Sequence, residues 1–207
     1  MNNNLKFLLS ILVFILPLGL INILLPSLGN DNIINIILRL LIISLILLTI
    51  IYIYFDDLSK DFKNIKNKYF IKEIFIFLII LIFAFLLVKL IIFIREKSIE
   101  ETIFKFNFLY QKIPMYMFLT TVLLYPVIEN IILRLGLKKI IKSNILFLII
   151  NIIVYIVYLM VFQNHAEISL IISSLIITFS YLKNKNIILT MFINIVFNAL
   201  IFSLNYF

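Results

Sequence analysis

The stretch Tyr125–Leu137, which reads YPVIENIILRLGL, decides the fold of this chain. It lies in a run apolar enough to cross a membrane, yet it carries a proline, a glutamate, an asparagine, an arginine and a glycine. A charge at the centre of a bilayer costs roughly 2.5–3.5 kcal/mol even on the lenient insertion scales. A span that holds both Glu129 and Arg134 must direct them into a helix bundle, where ionisable residues are candidates for function.

The composition around this stretch is that of a membrane protein. Of the 207 residues 64% are hydrophobic and the mean hydropathy is +1.21, whereas about 45–50% apolar residues is usual for a soluble domain. We therefore expect an all-α, polytopic membrane protein in which residues 1–207 form a single transmembrane domain in the lipid bilayer. The absence of cysteine excludes disulfide bonds and thiolate chemistry.

The basic residues indicate an orientation in the membrane. The net charge of +8 does not predict a nucleic-acid partner, because the lysines lie between apolar runs, where the positive-inside rule and anionic lipids account for them. A cytoplasmic N-terminus places most of these lysines on the inner side. The segment Arg95–Pro114 fits this orientation less well, because it would lie outside while carrying four basic residues.

The apolar runs predict the number of helices. About 20 apolar residues are needed to cross the hydrocarbon core, and on this criterion we expect a bundle of about seven transmembrane helices with a polar cavity among the last four. Asp56–Lys72 is expected to be a loop, and Arg95–Pro114 to be an interfacial helix or a solvated loop. Arg39 is expected to snorkel and to have a structural role. The expected spans are about Leu5–Leu28, Ile33–Phe55, Glu73–Ile94, the run that begins near Met115, Ile145–Phe162, Ile168–Leu182 and Ile187–Tyr206.

Polar residues remain at depths from which snorkelling is difficult: Glu129, Arg134, His165, Asn194 and Asn198. Each has an ordinary structural explanation. Glu129 and Arg134 can form an ion pair between helices, and a single histidine near a helix end is more often a satisfied polar group than a catalyst. Asn194 and Asn198 lie one turn apart on one helix face, where asparagine often links neighbouring helices.

The order and spacing of these polar residues nevertheless form a pattern. The fourth span carries Pro-x-x-Glu-Asn-x-x-x-Arg-x-Gly, a histidine closes the fifth, and the last span carries Asn-x-x-x-Asn. Over about residues 116–205 the chain resembles the CPBP family of intramembrane endopeptidases, also called the CAAX protease and bacteriocin-processing or Abi family. Glu129 and Arg134 fall on the first motif of that family, His165 on the second and Asn198 on the third.

The chain departs from the family pattern in each motif. Asn130 replaces the second glutamate of the first motif, Val161 replaces the phenylalanine of the second, and Asn194 replaces the histidine of the third. In a regular α-helix Glu129 and Arg134 lie about 140° apart around the axis, whereas positions 130 and 134 are direct neighbours. We therefore expect Arg134 to reach toward Glu129, another helix or interfacial water.

The resemblance implies hydrolysis of a peptide bond in a membrane-embedded protein or peptide at the bacterial plasma membrane. Glu129 and His165 would take a proton from a water that attacks the scissile carbonyl. Asn198, together with Asn194, would donate hydrogen bonds to the oxyanion, and Arg134 would hold or tune Glu129. We expect no cofactor. A catalytic zinc usually has three protein ligands, but one histidine and one glutamate lie at a suitable depth, so zinc is the less favoured alternative.

A second interpretation belongs to a different functional class. The chain would be a family member that no longer cleaves and acts as a bacteriocin immunity or membrane scaffold protein, which Asn130 and Asn194 favour. A transporter ranks third, because the spans contain few charges and no obvious pair of broken helices. The catalytic interpretation makes one geometric demand. Glu129 and His165 can meet only if the fourth span continues as an unbroken helix from about Met115 to about Lys142.

Overall fold

A computed structural model describes residues 2–24, 33–65, 67–95, 113–163 and 168–206. Every regular element in these ranges is a helix, so the expectation of an all-α fold is confirmed for the described part of the chain. The helices are α1 Asn3–Leu24, α2 Ile33–Ile53, α3 Phe55–Lys63, α4 Asn67–Arg95, α5 Pro114–Ile140, α6 Asn144–Gln163, α7 Ile168–Asn184 and α8 Ile187–Tyr206.

Three of these helices are long and apolar enough to cross a membrane. They are α2, α4 over Tyr69–Leu87, and α5. The other long helices, α1, α6, α7 and α8, are apolar but shorter over their described side chains. A helix satisfies its own backbone N–H and C=O groups, which is what hydrocarbon requires of a spanning segment. Membrane-type helices are therefore present, and a count of about seven spans stays a prediction.

The prediction that Asp56–Lys72 is a loop is wrong in part, because this segment contains the nine-residue helix α3 and the first turns of α4. Hydropathy is low in α3, but its charges suit a helix. Asp56 and Asp57 lie in the first turn and Lys60 and Lys63 in the last, where each sign complements the helix dipole. Of the other connecting segment, Arg95–Pro114, residues 96–112 lie outside the described ranges.

The fourth span, α5, is the centre of the bundle. Of its most apolar window 56% is buried, compared with 22% for α2 and 11% for α4. It packs against α1, α2, α6 and α8, and Ile128 and Ile131 are completely buried in the main hydrophobic core. The stretch that carries Glu129 and Arg134 thus lies inside the bundle, as their charges require.

Charged contacts join several helices at one face of the bundle. Lys6 Nζ of α1 lies 3.8 Å from Asp57 Oδ2 of α3, and Lys139 at the end of α5 pairs with the same carboxylate. Lys183 at the end of α7 lies 2.9 Å from Glu73 Oε2 of α4. We call the face formed by these five residues the basic face. The N-terminal helix and the basic segments after α2, α5 and α7 therefore meet on the same side, as the positive-inside rule predicts.

The start of α8 is fixed at the basic face by side-chain caps. Asn186 Oδ1 accepts a hydrogen bond from the Leu189 N–H at 3.0 Å, and Asp61 Oδ2 of α3 accepts one from the Ile187 N–H at 2.8 Å. These caps satisfy N–H groups that have no partner within the helix. Burial raises the pKa of the Asp61 carboxyl, and the hydrogen bond from the Ile187 N–H opposes that rise.

Candidate functional site

The unbroken helix demanded by the catalytic interpretation is present. α5 runs from Pro114 to Ile140 without interruption and ends two residues before the expected Lys142. Its winding is not uniform. Two π-helical stretches, Phe118–Leu124 and Asn130–Gly136, flank one α-helical turn that ends at Glu129. Short π-helical stretches within α-helices occur frequently at functional sites, so the winding draws attention to this turn.

The π-helical stretch changes which residues of the motif share a face. In a π-helix the hydrogen bond joins residues five apart instead of four, so each turn holds more residues and residues five apart lie closer to the same face. Glu129 and Arg134 are five apart and span most of the stretch Asn130–Gly136. The separation of about 140° that a regular α-helix gives is therefore reduced. The charge of Glu129 acts electrostatically on Arg134, as this arrangement predicts.

The guanidinium of Arg134 is completely enclosed, with 1% of the residue exposed. Its Nη1 donates to Asn130 Oδ1 at 3.1 Å, and its Nη2 donates to Ser174 Oγ at 3.1 Å and to the Ser174 carbonyl at 3.4 Å. Asn130 Nδ2 in turn donates to the Pro126 carbonyl at 2.6 Å. Arg134 thus contacts another helix, α7, as expected, while Asn130 serves as its neutral acceptor on α5.

A second set of buried amide and hydroxyl groups extends this network to α6. Asn151 Nδ2 donates to the Leu133 carbonyl of α5 at 2.6 Å, and the Thr178 hydroxyl donates to Asn151 Oδ1 at 2.9 Å. Both side chains are completely buried. The acceptor Leu133 lies in the second π-helical stretch, where the regular α-helical bonding pattern is replaced. These hydrogen bonds connect α5, α6 and α7 through one polar network.

Sequence reasoning missed Asn151, Ser174 and Thr178. A signal was present, since Asn151 lies in the middle of an apolar span, where an unsatisfied amide is costly. The frequency of asparagine throughout the chain hid it, and a serine or threonine in a span can satisfy its hydroxyl on its own helix. Thr178 does this as well, because its one hydroxyl proton is shared between Asn151 Oδ1 and the Ser174 carbonyl, which lies 2.7 Å from Oγ1.

Glu129 lies about halfway along α5 and is half-buried. It is eleven residues before Ile140, or about 16 Å along the axis, and Tyr155 is eleven residues after Asn144 at the start of α6, about 16 Å from the same end. Tyr155 is buried, and the charge of Glu129 acts on it. The carboxylate therefore lies at the level of a buried phenol and close to the buried guanidinium of Arg134.

The two asparagines of the last helix form a pair. Asn198 Nδ2 donates to Asn194 Oδ1 at 3.0 Å, and Asn194 is buried. The expectation that they share one face of the helix is confirmed. They lie about 10 and 16 Å from the start of α8 at Ile187, and α8 packs along both π-helical stretches of α5. The pair is thus at the depth of Glu129 and Arg134, on a helix that touches α5.

His165 lies outside the described residues, as do residues 164–167 in general. Its separation from Glu129 stays a prediction. The described part of α6 ends at Gln163, about 28 Å along the helix from Asn144, compared with about 16 Å for Glu129 along α5. By this count the end of α6 lies about 12 Å beyond the level of Glu129, a difference that helix tilt must close in the catalytic arrangement.

The environment of Arg39 differs from the one that the sequence predicts. Arg39 is 7% exposed and hydrogen-bonds to the hydroxyl of Tyr116 in α5, so the prediction that it snorkels to the interface is wrong. The cause is a partner on another helix that hydropathy cannot reveal. A buried guanidinium is tolerated where hydrogen-bond acceptors meet it. The structural role expected of Arg39 fits this contact between α2 and α5.

The described residues offer few ligands for a metal ion. Among the described residues, no three histidine, cysteine, aspartate or glutamate side chains are grouped closely enough to hold a metal ion. His165 lies outside this set, so the expectation of a metal-free site stays a prediction.

Comparisons with known proteins give no match: no family model, no curated protein and no solved structure matches the chain. The resemblance to the CPBP family therefore rests on the spacing of Glu129, Arg134, His165 and Asn198 alone.

Proposed function

We propose that this chain is a CPBP-type intramembrane endopeptidase that hydrolyses a peptide bond in a membrane-embedded protein or peptide. The observation that supports this most is the position of Glu129. It is half-buried in the unbroken central helix, near a buried arginine, at the depth of Asn194 and Asn198. A carboxylate held in this way is suited to act as a general base toward water. The proposed location is the bacterial plasma membrane, with a cytoplasmic N-terminus.

In this proposal Glu129 and His165 remove a proton from the attacking water, and the asparagine pair stabilises the oxyanion. An amide NH2 group has two N–H donors, and Asn194 accepts one of those of Asn198, so the second is directed to the oxyanion. Arg134 acts as a positioning residue. Its hydrogen bonds to Asn130 and Ser174 fix the guanidinium, so its charge stays close to the carboxylate of Glu129.

A second candidate is a non-catalytic member of the same family that acts as a bacteriocin immunity or membrane scaffold protein. The hydrogen bonds within the motifs favour it. Arg134 donates to Asn130, and Asn198 donates to Asn194, so groups that would serve a reaction are engaged with one another. A protein that binds without cleaving needs such a rigid polar core and no free base.

The test compares the membrane proteome of bacteria that express the wild-type chain with that of bacteria expressing Glu129→Gln. New protein N-termini are labelled chemically and identified by mass spectrometry. We expect cleavage products in the wild type that disappear in Glu129→Gln and in His165→Ala. The matched control is Glu73→Gln, the same substitution at the basic face, which should leave the products unchanged.

The result also separates the two candidates. If no product depends on Glu129 at equal membrane abundance, and the variant still protects cells from a membrane-active peptide, the endopeptidase is refuted and the immunity function is supported.

A further inference from the structure

The short helix α3 is attached to the bundle along one side. Tyr54 at its start is completely buried and Leu58 packs against the main hydrophobic core. Asp57 pairs with Lys139, and Asp61 caps α8. At about 100° per residue these four positions of the segment fall on one side of the helix.

The rest of α3 has one apolar and one charged side. Phe55 and Phe62 are seven residues apart, lie on the same side and are 61% and 66% exposed. We call these two residues the aromatic flank. Beside it, exposed Lys60 and Lys63 lie on the side that faces away from the bundle, with Asp56. Burying a phenylalanine side chain is worth about 1.5–3 kcal/mol, so the aromatic flank strongly favours an apolar cover.

The neighbouring helices indicate what that cover is. α3 connects α2 and α4, two of the helices apolar enough to cross a membrane. Next to α3 these helices expose Tyr52 at 84% and Tyr69 at 71%. Tyrosine is enriched where a membrane meets water, because the ring is apolar and its hydroxyl is polar. The position of α3 is therefore the membrane interface, and its apolar cover is lipid.

The charges of α3 then select a class of lipid. Two of its acids, Asp57 and Asp61, are engaged within the protein, which leaves Lys60 and Lys63 as the larger charge on the outer side. We propose that α3 binds an acidic phospholipid. The aromatic flank inserts among the acyl chains, and Lys60 and Lys63 bind the phosphate of the headgroup.

This surface is connected to the candidate site. Asp57 joins α3 to the last turn of α5 through Lys139, and Asp61 joins it to the first turn of α8 through Ile187. These are the helices that carry Glu129 and the asparagine pair. A lipid bound on α3 therefore stabilises the element that holds both helices in place. The proposal does not depend on the endopeptidase function.

The chain contains no tryptophan, so one introduced tryptophan reports on one place. The full chain with Phe62→Trp is reconstituted in phosphatidylcholine vesicles that contain a small, equal fraction of brominated phosphatidylglycerol or brominated phosphatidylcholine. Bromine quenches tryptophan fluorescence on contact. We expect stronger quenching by the acidic lipid. The preference of position 62 for the acidic lipid over phosphatidylcholine should fall about five-fold with each of Lys60→Gln and Lys63→Gln. It should also fall at high salt.

Phe83→Trp is the matched control, because Phe83 is 67% exposed in the middle of α4. Both brominated lipids should quench it equally, and this also shows that each lysine variant is folded and inserted. Equal quenching at position 62 by both lipids would overturn the selectivity for acidic lipid. Absence of quenching there by both lipids would overturn the proposal, because lipid would then not cover the aromatic flank. Selectivity that survives both lysine substitutions would refute the role of the lysines.

Discussion

Substituting Gly136 by alanine tests a close contact between α5 and Tyr54. A Cβ at position 136 would lie 2.5 Å from Tyr54 Oη and 3.1 Å from Phe7 Cδ2, and Tyr54 is completely buried. The ring must move by nearly 1 Å to restore an ordinary contact. Such overpacking costs up to about 3 kcal/mol, and the better helix propensity of alanine returns about 1 kcal/mol. We expect a net loss of about 2 kcal/mol, or a fall in Tm of about 4–8 °C.

The measurement is the temperature dependence of circular dichroism at 222 nm in detergent micelles, with two further variants. Gly19→Ala is the matched control, because a Cβ there meets nothing within 4 Å, and its Tm should stay the same or rise. Tyr54→Phe removes only the hydroxyl, so the double variant with Gly136→Ala should recover most of the lost stability. A Gly136→Ala protein as stable as Gly19→Ala would refute the close approach of Tyr54 to α5.

Two further predictions concern the charged side chains of Arg134 and Asp61. Arg134→Lys should lower the free energy of unfolding by about 2 kcal/mol, because an ammonium group cannot reach both Asn130 and Ser174. Ser174→Ala should lower the free energy of unfolding by less. Equal Tm values for Arg134→Lys and the wild type would contradict the hydrogen-bond network. The raised pKa of Asp61 means that the folded chain binds a proton more tightly than the unfolded chain. Stability should therefore fall as the pH rises from about 4 through that raised pKa. The Tm of Asp61→Asn, which keeps the capping oxygen, should lack this decline, and parallel curves would refute the assignment.

The main features of the fold follow from apolar content and run length. These give an all-α membrane protein, and the pattern within residues 125–137 identifies its central helix. The catalytic interpretation predicts an unbroken α5, and this prediction is confirmed over Pro114–Ile140. The helix α3 was not predicted, since the features that favour it are charges placed along the helix dipole and contacts with other helices, which hydropathy does not measure.

The candidate site was predictable only as far as one helix determines it. The pairing of Asn194 with Asn198 follows from helical spacing alone. The partners of Arg39 and Arg134 on other helices do not, because the sequence does not state which faces meet. The π-helical winding was also missed, since it depends on packing and side-chain hydrogen bonds such as the one from Asn151 to Leu133.

The winding of α5 has a consequence for how its motif is compared with others. A π-helical turn holds one residue more than an α-helical turn, so the stretch Asn130–Gly136 accommodates the length of a small insertion. A related chain with one residue fewer would form a regular α-helix there, and the residues after the deletion would keep the faces that they have here. Residues that match in an alignment on either side of the stretch would then share a neighbour, whereas residues within it would lie on different faces. In this helix, the number of residues between glutamate and glycine carries as much information as their identity.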